Sequence, residues 1–322
     1  MDELPLSRLG LGAWAFGGVG WGPQDDRDSI TAIHRAVELG VNWIDTAAVY
    51  GGGHAELVVG KAISELACAE RPLIFTKAGV GIDPATGETY RDLSPSSLRT
   101  ECEGSLKRLG LERIDLYQLH WPVPDPDAVV LAWETLEELR CEGKIRWAGV
   151  SNFDVELLNR CANVRTIDSV QIPLSLIDRQ ALDNVLPWAT THRVRAFVYS
   201  TLESGLLSGS FSPERLAALP TDDWRQRRAP FQPPQVERTF QLVELLRPIA
   251  KTLGASLAEL AIAWTLQFSG VTGAIVGARS PRQVEGWIGA ADLTLEKDVL
   301  KRIDAALLKT RAGDRPPRPS PA

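Results

Sequence analysis

DLYQLHWPVPDPDAVVLAWETLEELRCEGKIRWAGVS, residues 115–151, holds the smallest complete unit of the fold. A short apolar run over 115–120 ends on a histidine, a helical pattern covers 128–141, and a second short apolar run covers 147–151. Gly143 follows the helical stretch, the place where a glycine ends a helix. Parallel neighbouring strands need a crossover connection, so strand, helix and strand in this order make one unit of a parallel sheet.

The same alternation runs outward in both directions. Strand patterns fall at 9–13, 42–45, 73–77, 169–172, 196–200 and 273–277. Helical patterns fall between them, at 28–39, 55–66, 96–109, 155–161, 180–191, 235–253 and 281–290, and Gly40, Gly110 and Gly254 close three of these. Eight such units in 322 residues favour an α/β fold closed as a (β/α)8 TIM barrel over an open doubly wound sheet. A single barrel domain is expected over residues 1–310. Two stretches break the spacing: 201–234, with five prolines, reads as a long functional loop, and 256–268 adds a helix before the last strand. A final amphipathic helix is expected at 295–308. The tail, 311–322, has four prolines in twelve residues and is expected to be disordered.

Composition narrows the function classes. Hydrophobic residues make up 44% and charged residues 24%, as in an ordinary globular protein. The net charge of −6 argues against a nucleic-acid or anionic-membrane partner, because both recruit basic surfaces. No apolar run reaches a membrane-spanning length and no basic leader precedes one, so a cytoplasmic location is expected. Cys68, Cys102, Cys141 and Cys161 are scattered and read as buried reduced thiols. The four histidines and four cysteines show no ligand spacing, so no metal is expected.

In a barrel of this type the working residues sit at the C-terminal ends of strands and in the loops that follow. Asp45, Tyr50, Lys77 and His120 occupy such positions on three neighbouring strands. Taken singly, each has an ordinary reading: Asp45 a loop cap, Lys77 a snorkelling lysine, His120 a satisfied core histidine. Together they make a site that can reduce a carbonyl. A carbonyl whose carbon takes a hydride develops negative charge on its oxygen, and that oxygen needs a proton. Tyr50 could supply it, with Lys77 stabilising the phenolate and lowering its pKa, Asp45 keeping the lysine charged, and His120 orienting the oxygen.

The residues around these four resemble a known family. NWIDTAAVYGGGHAELVVG at 42–60, IFTK ending at Lys77, DLYQLHWP around His120, GKIRWAGVSNF at 143–153, YSTLESGLLSG at 199–209 and GARSPRQVEG at 277–286 are similar to aldo-keto reductase motifs, in the family's order. The pattern is most like the bacterial members related to potassium-channel β-subunits and to general-stress or inositol-type reductases. The resemblance implies a barrel that binds an extended nicotinamide dinucleotide, with Asp45, Tyr50, Lys77 and His120 as the catalytic tetrad and Tyr50 as proton donor. It also implies a cofactor site. Ser151, Asn152 and Gln171 would hold the carboxamide, and Tyr199 would stack on the nicotinamide, with Trp14 on the wall beside it. Ser200, Leu202, Gly205 and Leu207 would line the pyrophosphate loop; Gly277, Arg279 and Gln283 would receive the adenosine phosphate.

Arg279 favours NADP(H), since a guanidinium matches a 2′-phosphate; NAD(H) is the alternative. The expected activity is NADP(H)-dependent reduction of an aldehyde or ketone. The other readings are an NAD-linked sugar or polyol dehydrogenase, and a redox-sensing regulatory subunit with little turnover. The partner is a small carbonyl compound, and the oligomeric state is not legible.

Two departures from the family pattern stand out. The Glu-Asn pair expected near the adenine is Gly286-Trp287 here, leaving Trp287 to stack on adenine or to pack its helix. The chain also starts close to its first strand. Residues 10–15, GLGAWA, match a Rossmann glycine pattern on paper, but no helical periodicity opens inside it. Trp14, Trp21 and Trp121 are candidate substrate walls, with core packing as the plain alternative. His54 reads as a surface residue, and residues 222–235, with Arg225, Arg227 and Arg228, as a lid.

Overall fold

The computed structural model describes residues 5–18, 20–221 and 223–313. Ten strands alternate with eleven helices among these residues. The strands are β1 (Leu9–Gly12), β2 (Trp43–Asp45), β3 (Leu73–Ala78), β4 (Val80–Ile82), β5 (Thr89–Arg91), β6 (Ile114–Leu119), β7 (Ile145–Ser151), β8 (Ser169–Pro173), β9 (Arg195–Tyr199) and β10 (Val271–Gly277). The helices are α1 (Asp26–Glu38), α2 (His54–Ser64), α3 (Pro95–Leu109), α4 (Pro126–Cys141), α5 (Val155–Val164), α6 (Val185–His192), α7 (Pro213–Ala217), α8 (Gln235–Thr252), α9 (Leu257–Thr265), α10 (Pro281–Glu285) and α11 (Lys297–Thr310).

Eight strands close a parallel barrel in the order β1-β10-β9-β8-β7-β6-β3-β2. Alternate residues face inward, so each strand contributes one set to the barrel axis and another to the helix layer. Trp43, Phe75, Leu116, Phe197 and Ile275 fill the lower interior. Trp43 stacks on Phe75 at 5.1 Å and tilts against Phe197 at 4.9 Å. Gly10 makes room for this plug, because a Cβ there would lie 2.4 Å from the indole of Trp43. With the lower interior filled by large apolar side chains, polar inward positions are left at the upper end. Two residues along β2 and β3 from Trp43 and Phe75 stand Asp45 and Lys77.

Local signals set the helix starts. The side chains of Asp25, Asp125 and Asp154 accept backbone N–H groups at the first turns of α1, α4 and α5, and Ser256 with Glu259 forms a full capping box on α9. None of the described helices is long and apolar enough to cross a membrane.

The structure departs from the sequence reading in five places. Cys102 and Cys161 are buried as expected, but Cys68 and Cys141 are exposed. An antiparallel hairpin, β4–β5, rises from the end of β3, with Val80 opposite Arg91. Its exposed residues form no buried stripe, so period-two hydrophobicity did not mark it. The stretch 201–234 is folded into short helical turns, including Glu203–Ser208, Trp224–Arg227 and Ala229–Phe231, around α7. The expected helices at 180–191 and 281–290 each break into a 3-10 turn and a short α-helix, the second break falling at Gly286 and Trp287. Residues 311–313 are part of the barrel rather than of a tail: Ala312 is buried and its carbonyl accepts from Arg179 Nη2 at 3.3 Å. The rest of the expected disordered segment lies outside the described residues.

Candidate active site

β2 and β3 are hydrogen-bonded neighbours, as are β3 and β6, so the ends of three adjacent strands bring Asp45, Lys77 and His120 to one side of the barrel mouth. Tyr50 opens the 3-10 turn Tyr50–Gly53 between β2 and α2. Asp45 and Lys77 are 3% and 1% exposed. Lys77 Nζ donates to Asp45 Oδ1 at 2.5 Å and to the Thr46 carbonyl at 2.9 Å. The other carboxylate oxygen of Asp45 accepts from Gln171 Nε2 at 2.8 Å. The ammonium thus sits in a built cradle, 5.3 Å from the centroid of the Tyr50 ring. The rings of Tyr50 and His120 meet edge to face at 5.7 Å. All four predicted residues converge.

Protonation states follow from burial and charge. Burial pulls the Lys77 pKa down, and the carboxylates of Asp45 and Glu56 push it back up. His120 lies well below the usual imidazole value because it is buried and faces the charges of Lys77 and Arg91, so its ring is neutral. Its Nδ1 is buried without a partner. Tyr50 is held well above 10 by burial and by Asp45. Burial first and then the charge of Asp45 set this direction, so the packing does not produce the lowering expected from Lys77, which is itself paired with Asp45 at 2.5 Å. Tyr50 is a protonated phenol.

Behind β3, fully buried Glu56 accepts from Thr76 Oγ1 at 2.6 Å and from Arg108 Nε at 2.7 Å. This ties α2, which follows Tyr50, to the strand that carries Lys77.

The residues expected to hold a cofactor fall into two groups. The first is wired directly to the tetrad. Ser151 ends β7, and Asn152 follows with φ of 65°. Asn152 Oδ1 accepts the Tyr199 hydroxyl at 2.5 Å, and Asn152 Nδ2 donates to the His120 carbonyl at 2.9 Å and to Ser151 Oγ at 3.0 Å. Gln171 joins through Asp45. These contacts, apart from the shared position at strand ends, had no sequence signal.

The second group lies along the next strands. After Tyr199 at the end of β9, Ser200, Glu203, Ser204 and Gly205 adopt φ of 57°, 43°, 53° and 100°. Three left-handed non-glycine residues in six positions store strain, and such strain collects where a loop is shaped for a ligand. Successive backbone N–H groups in that geometry suit a pyrophosphate. Leu207 is buried and Leu202 packs on the core, so both anchor the loop from beneath. β10, the neighbour of β9, ends at Gly277. Arg279 then folds onto the loop before α1: its Nε donates to Gln24 Oε1 at 2.6 Å, Nη1 to the Trp21 carbonyl at 2.8 Å, and Nη2 to the Pro23 carbonyl. Gln283 Oε1 accepts the Arg279 N–H at 2.8 Å. Trp287, between α10 and the 3-10 turn Ile288–Ala291, is 2% exposed and packs in the core, so it does not wait for adenine.

Trp14 is a mouth residue. It meets Trp21 at 5.1 Å, Tyr50 at 6.1 Å and Trp224 at 4.9 Å. Trp224, delivered by the 201–234 excursion, was missed as an individual residue; only the proline-rich composition of its segment marked it. Arg225 beside it pairs with Asp223 and lies over Trp21 at 5.2 Å. The glycine pattern at 10–15 belongs to β1 and the 3-10 turn Trp14–Gly17, with no helix until Asp26, so it is no Rossmann fingerprint. His54 pairs with Asp26 at 2.8 Å on the partly exposed rim. Among the described residues no cluster of three or more His, Cys, Asp or Glu side chains is placed to hold a metal ion.

Known proteins match this chain along nearly its whole length. The model of the Aldo/keto reductase family matches residues 8–308. The aldo-keto reductase YhdN of Bacillus subtilis is 37% identical over 308 residues, covering 95% of this chain and 92% of that one. The NADH-specific methylglyoxal reductase of Escherichia coli is 32% identical over 326 residues, covering 96% of each. The glycerol dehydrogenase AKR11B4 structure from Gluconobacter oxydans superposes with a TM-score of 0.88 at 35% identity, covering 98% of this chain and 96% of that one. A barrel with these strand-end residues, matched along nearly its whole length, belongs to the aldo-keto reductase family, and the chain is an oxidoreductase that exchanges hydride between a nicotinamide cofactor and a carbonyl.

Proposed function

We propose that this protein reduces an aldehyde or ketone with NADPH and that Tyr50 delivers the proton. The observation that carries the reading is the convergence of a protonated phenol, a neutral imidazole and a buried Lys77–Asp45 pair at one strand-end site. The cofactor, when bound, supplies the hydride. Tyr50 and His120 are the donors available to the carbonyl oxygen. As that oxygen gains an electron pair, the phenol O–H breaks and its proton passes to oxygen, completing the alcohol. The phenolate left on Tyr50 sits beside the Lys77 ammonium, which Asp45, Thr46 and Gln171 hold in place. Solvent returns the proton after the product leaves. A protonated resting phenol suits reduction; the glycerol dehydrogenase relationship keeps polyol oxidation as the second reading.

Arg279 supports the phosphorylated cofactor. Its guanidinium now rests on neutral oxygens of Trp21, Pro23 and Gln24, and a phosphate dianion makes stronger, charge-assisted bonds than these. The relative named as NADH-specific keeps NAD(H) as the alternative. A cytoplasmic setting fits four unpaired cysteines, and a small carbonyl compound is the partner, with no nucleic acid or membrane. Fluorescence titration with NADPH and NADH tests the cofactor. Arg279→Ala is expected to weaken NADPH by about tenfold more than NADH, the scale of one charge-assisted hydrogen bond. Tyr50→Phe is expected to keep NADPH binding and lose most turnover. A Tyr50→Phe protein that reduces aldehydes at the parent rate refutes the mechanism.

A further inference from the structure

The hairpin β4–β5 places one residue at the mouth that neither the motifs nor the mechanism uses. Pairing of Val80 with Arg91 seats Arg91 at the base of the hairpin, opposite the residue three positions beyond Lys77. The guanidinium lies over the Trp121 indole at 4.9 Å and its Nη1 donates to the Pro122 carbonyl at 2.8 Å. It is therefore fixed against the two residues that follow His120. Burial first, then Lys77 and last Arg91 hold the imidazole neutral. Among the described residues no carboxylate pairs with Arg91, although the chain carries 41 acidic residues against 35 basic ones. Arg99 and Arg108, on the helix that follows, are both paired with glutamates.

We propose that Arg91 is a specificity-determining residue that binds an oxyanion on the substrate, so the preferred carbonyl compounds carry a carboxylate or phosphate group. This rests on the reading that Tyr50 and His120 hold the carbonyl oxygen. With the carbonyl there, the remainder of the substrate leaves the site past Trp121, whose 37% exposure makes it a wall of the opening. The Nε and Nη2 donors of Arg91 take no part in the Pro122 bond and are turned over to an incoming anion. A guanidinium stacked on an aromatic face and pinned by a carbonyl has lost rotamer freedom beforehand, which reduces the entropy cost of the contact. Because the group is exposed, the attraction is open to screening by salt.

The test compares kcat/KM for matched pairs: 4-oxobutanoate against butanal, and glyceraldehyde 3-phosphate against glyceraldehyde. The wild-type protein is expected to prefer the anionic member of at least one pair by about tenfold, equivalent to about 1.4 kcal/mol. The pair that shows the preference identifies the anion as carboxylate or phosphate. Arg91→Gln is expected to erase the preference, Arg91→Lys to keep part of it, and added salt to reduce it in the wild type and in Arg91→Lys. Binding of 4-oxobutanoate and of glyceraldehyde 3-phosphate to the NADP+-loaded protein, measured by calorimetry, reads the anion contact without turnover. Loss of that binding in Arg91→Gln supports the contact even if Tyr50 proves not to be the proton donor. No wild-type preference for either anion overturns the proposal. So does an equal loss on charged and neutral substrates in Arg91→Gln, which makes the arginine a support for Trp121 only.

Discussion

Replacing Glu101 with glutamine should stabilise this protein, and more so as the pH rises. Glu101 lies on α3 behind the end of β3, where its two carboxylate oxygens accept the Gly79 N–H at 3.2 Å and one also accepts from Ser97 at 3.3 Å. Burial, with Asp92 nearby, raises its pKa from 4.5 to about 7 despite those hydrogen bonds and Arg108. In the unfolded chain the group ionises near 4.5. Between these two values the folded state therefore binds more protons than the unfolded state, and stability falls as pH rises. The full penalty, reached above pH 7, is about 3 kcal/mol, at 1.36 kcal/mol per unit. Glutamine keeps an acceptor for Gly79 and has no proton to lose. The stability advantage of Glu101→Gln is expected to grow from about 1 kcal/mol at pH 5 to about 3 kcal/mol at pH 8. For a chain of this length the increment corresponds to about 4 °C in melting temperature. Urea unfolding of both proteins at pH 5, 6, 7 and 8 measures it directly. A difference that does not change with pH, or a variant less stable than the parent at pH 8, would refute the argument.

Two other outcomes follow from the same structure. Gly10→Ala puts a Cβ 2.4 Å from the Trp43 indole, and Trp43 is held by Phe75 and Phe197. Thermal unfolding should show a loss of about 3 kcal/mol, at the upper end of the usual cost of overpacking, and a parent-like melting temperature would mean that the indole can move aside. Across pH 6–9, kcat/KM for reduction should be nearly flat, because Tyr50 stays protonated and His120 neutral. Oxidation of the alcohol needs the phenolate and should rise by up to about tenfold per pH unit. An inflection near pH 6.5 in the reduction profile would show that His120 carries charge.

Much of the site is legible in the sequence alone. Asp45, Lys77 and His120 each close an apolar run, and in a parallel barrel that position alone predicts which end of the molecule they face. The hairpin bearing Arg91 was not legible, because exposed strands carry no hydrophobic period. Trp224 was equally hidden: a proline-rich excursion has no periodicity to say which side chain turns back to meet Trp14 and Trp21. Trp287, open to two readings in one dimension, is decided by its burial.

By itself the sequence determined the barrel and the strand-end positions of Asp45, Lys77 and His120, because strand and helix periods and strand-end positions are local properties of the chain. Only the tertiary structure decided what those residues are in chemical terms. The bond from Gln171 to Asp45 spans 126 positions, and no local pattern encodes it. That Lys77 is paired with Asp45, that Tyr50 keeps its proton and that Arg279 rests on the loop before α1 are consequences of desolvation and of partners met through space. Both depend on how closely distant segments pack, and charge in a protein interior is governed by that packing rather than by neighbours in the chain.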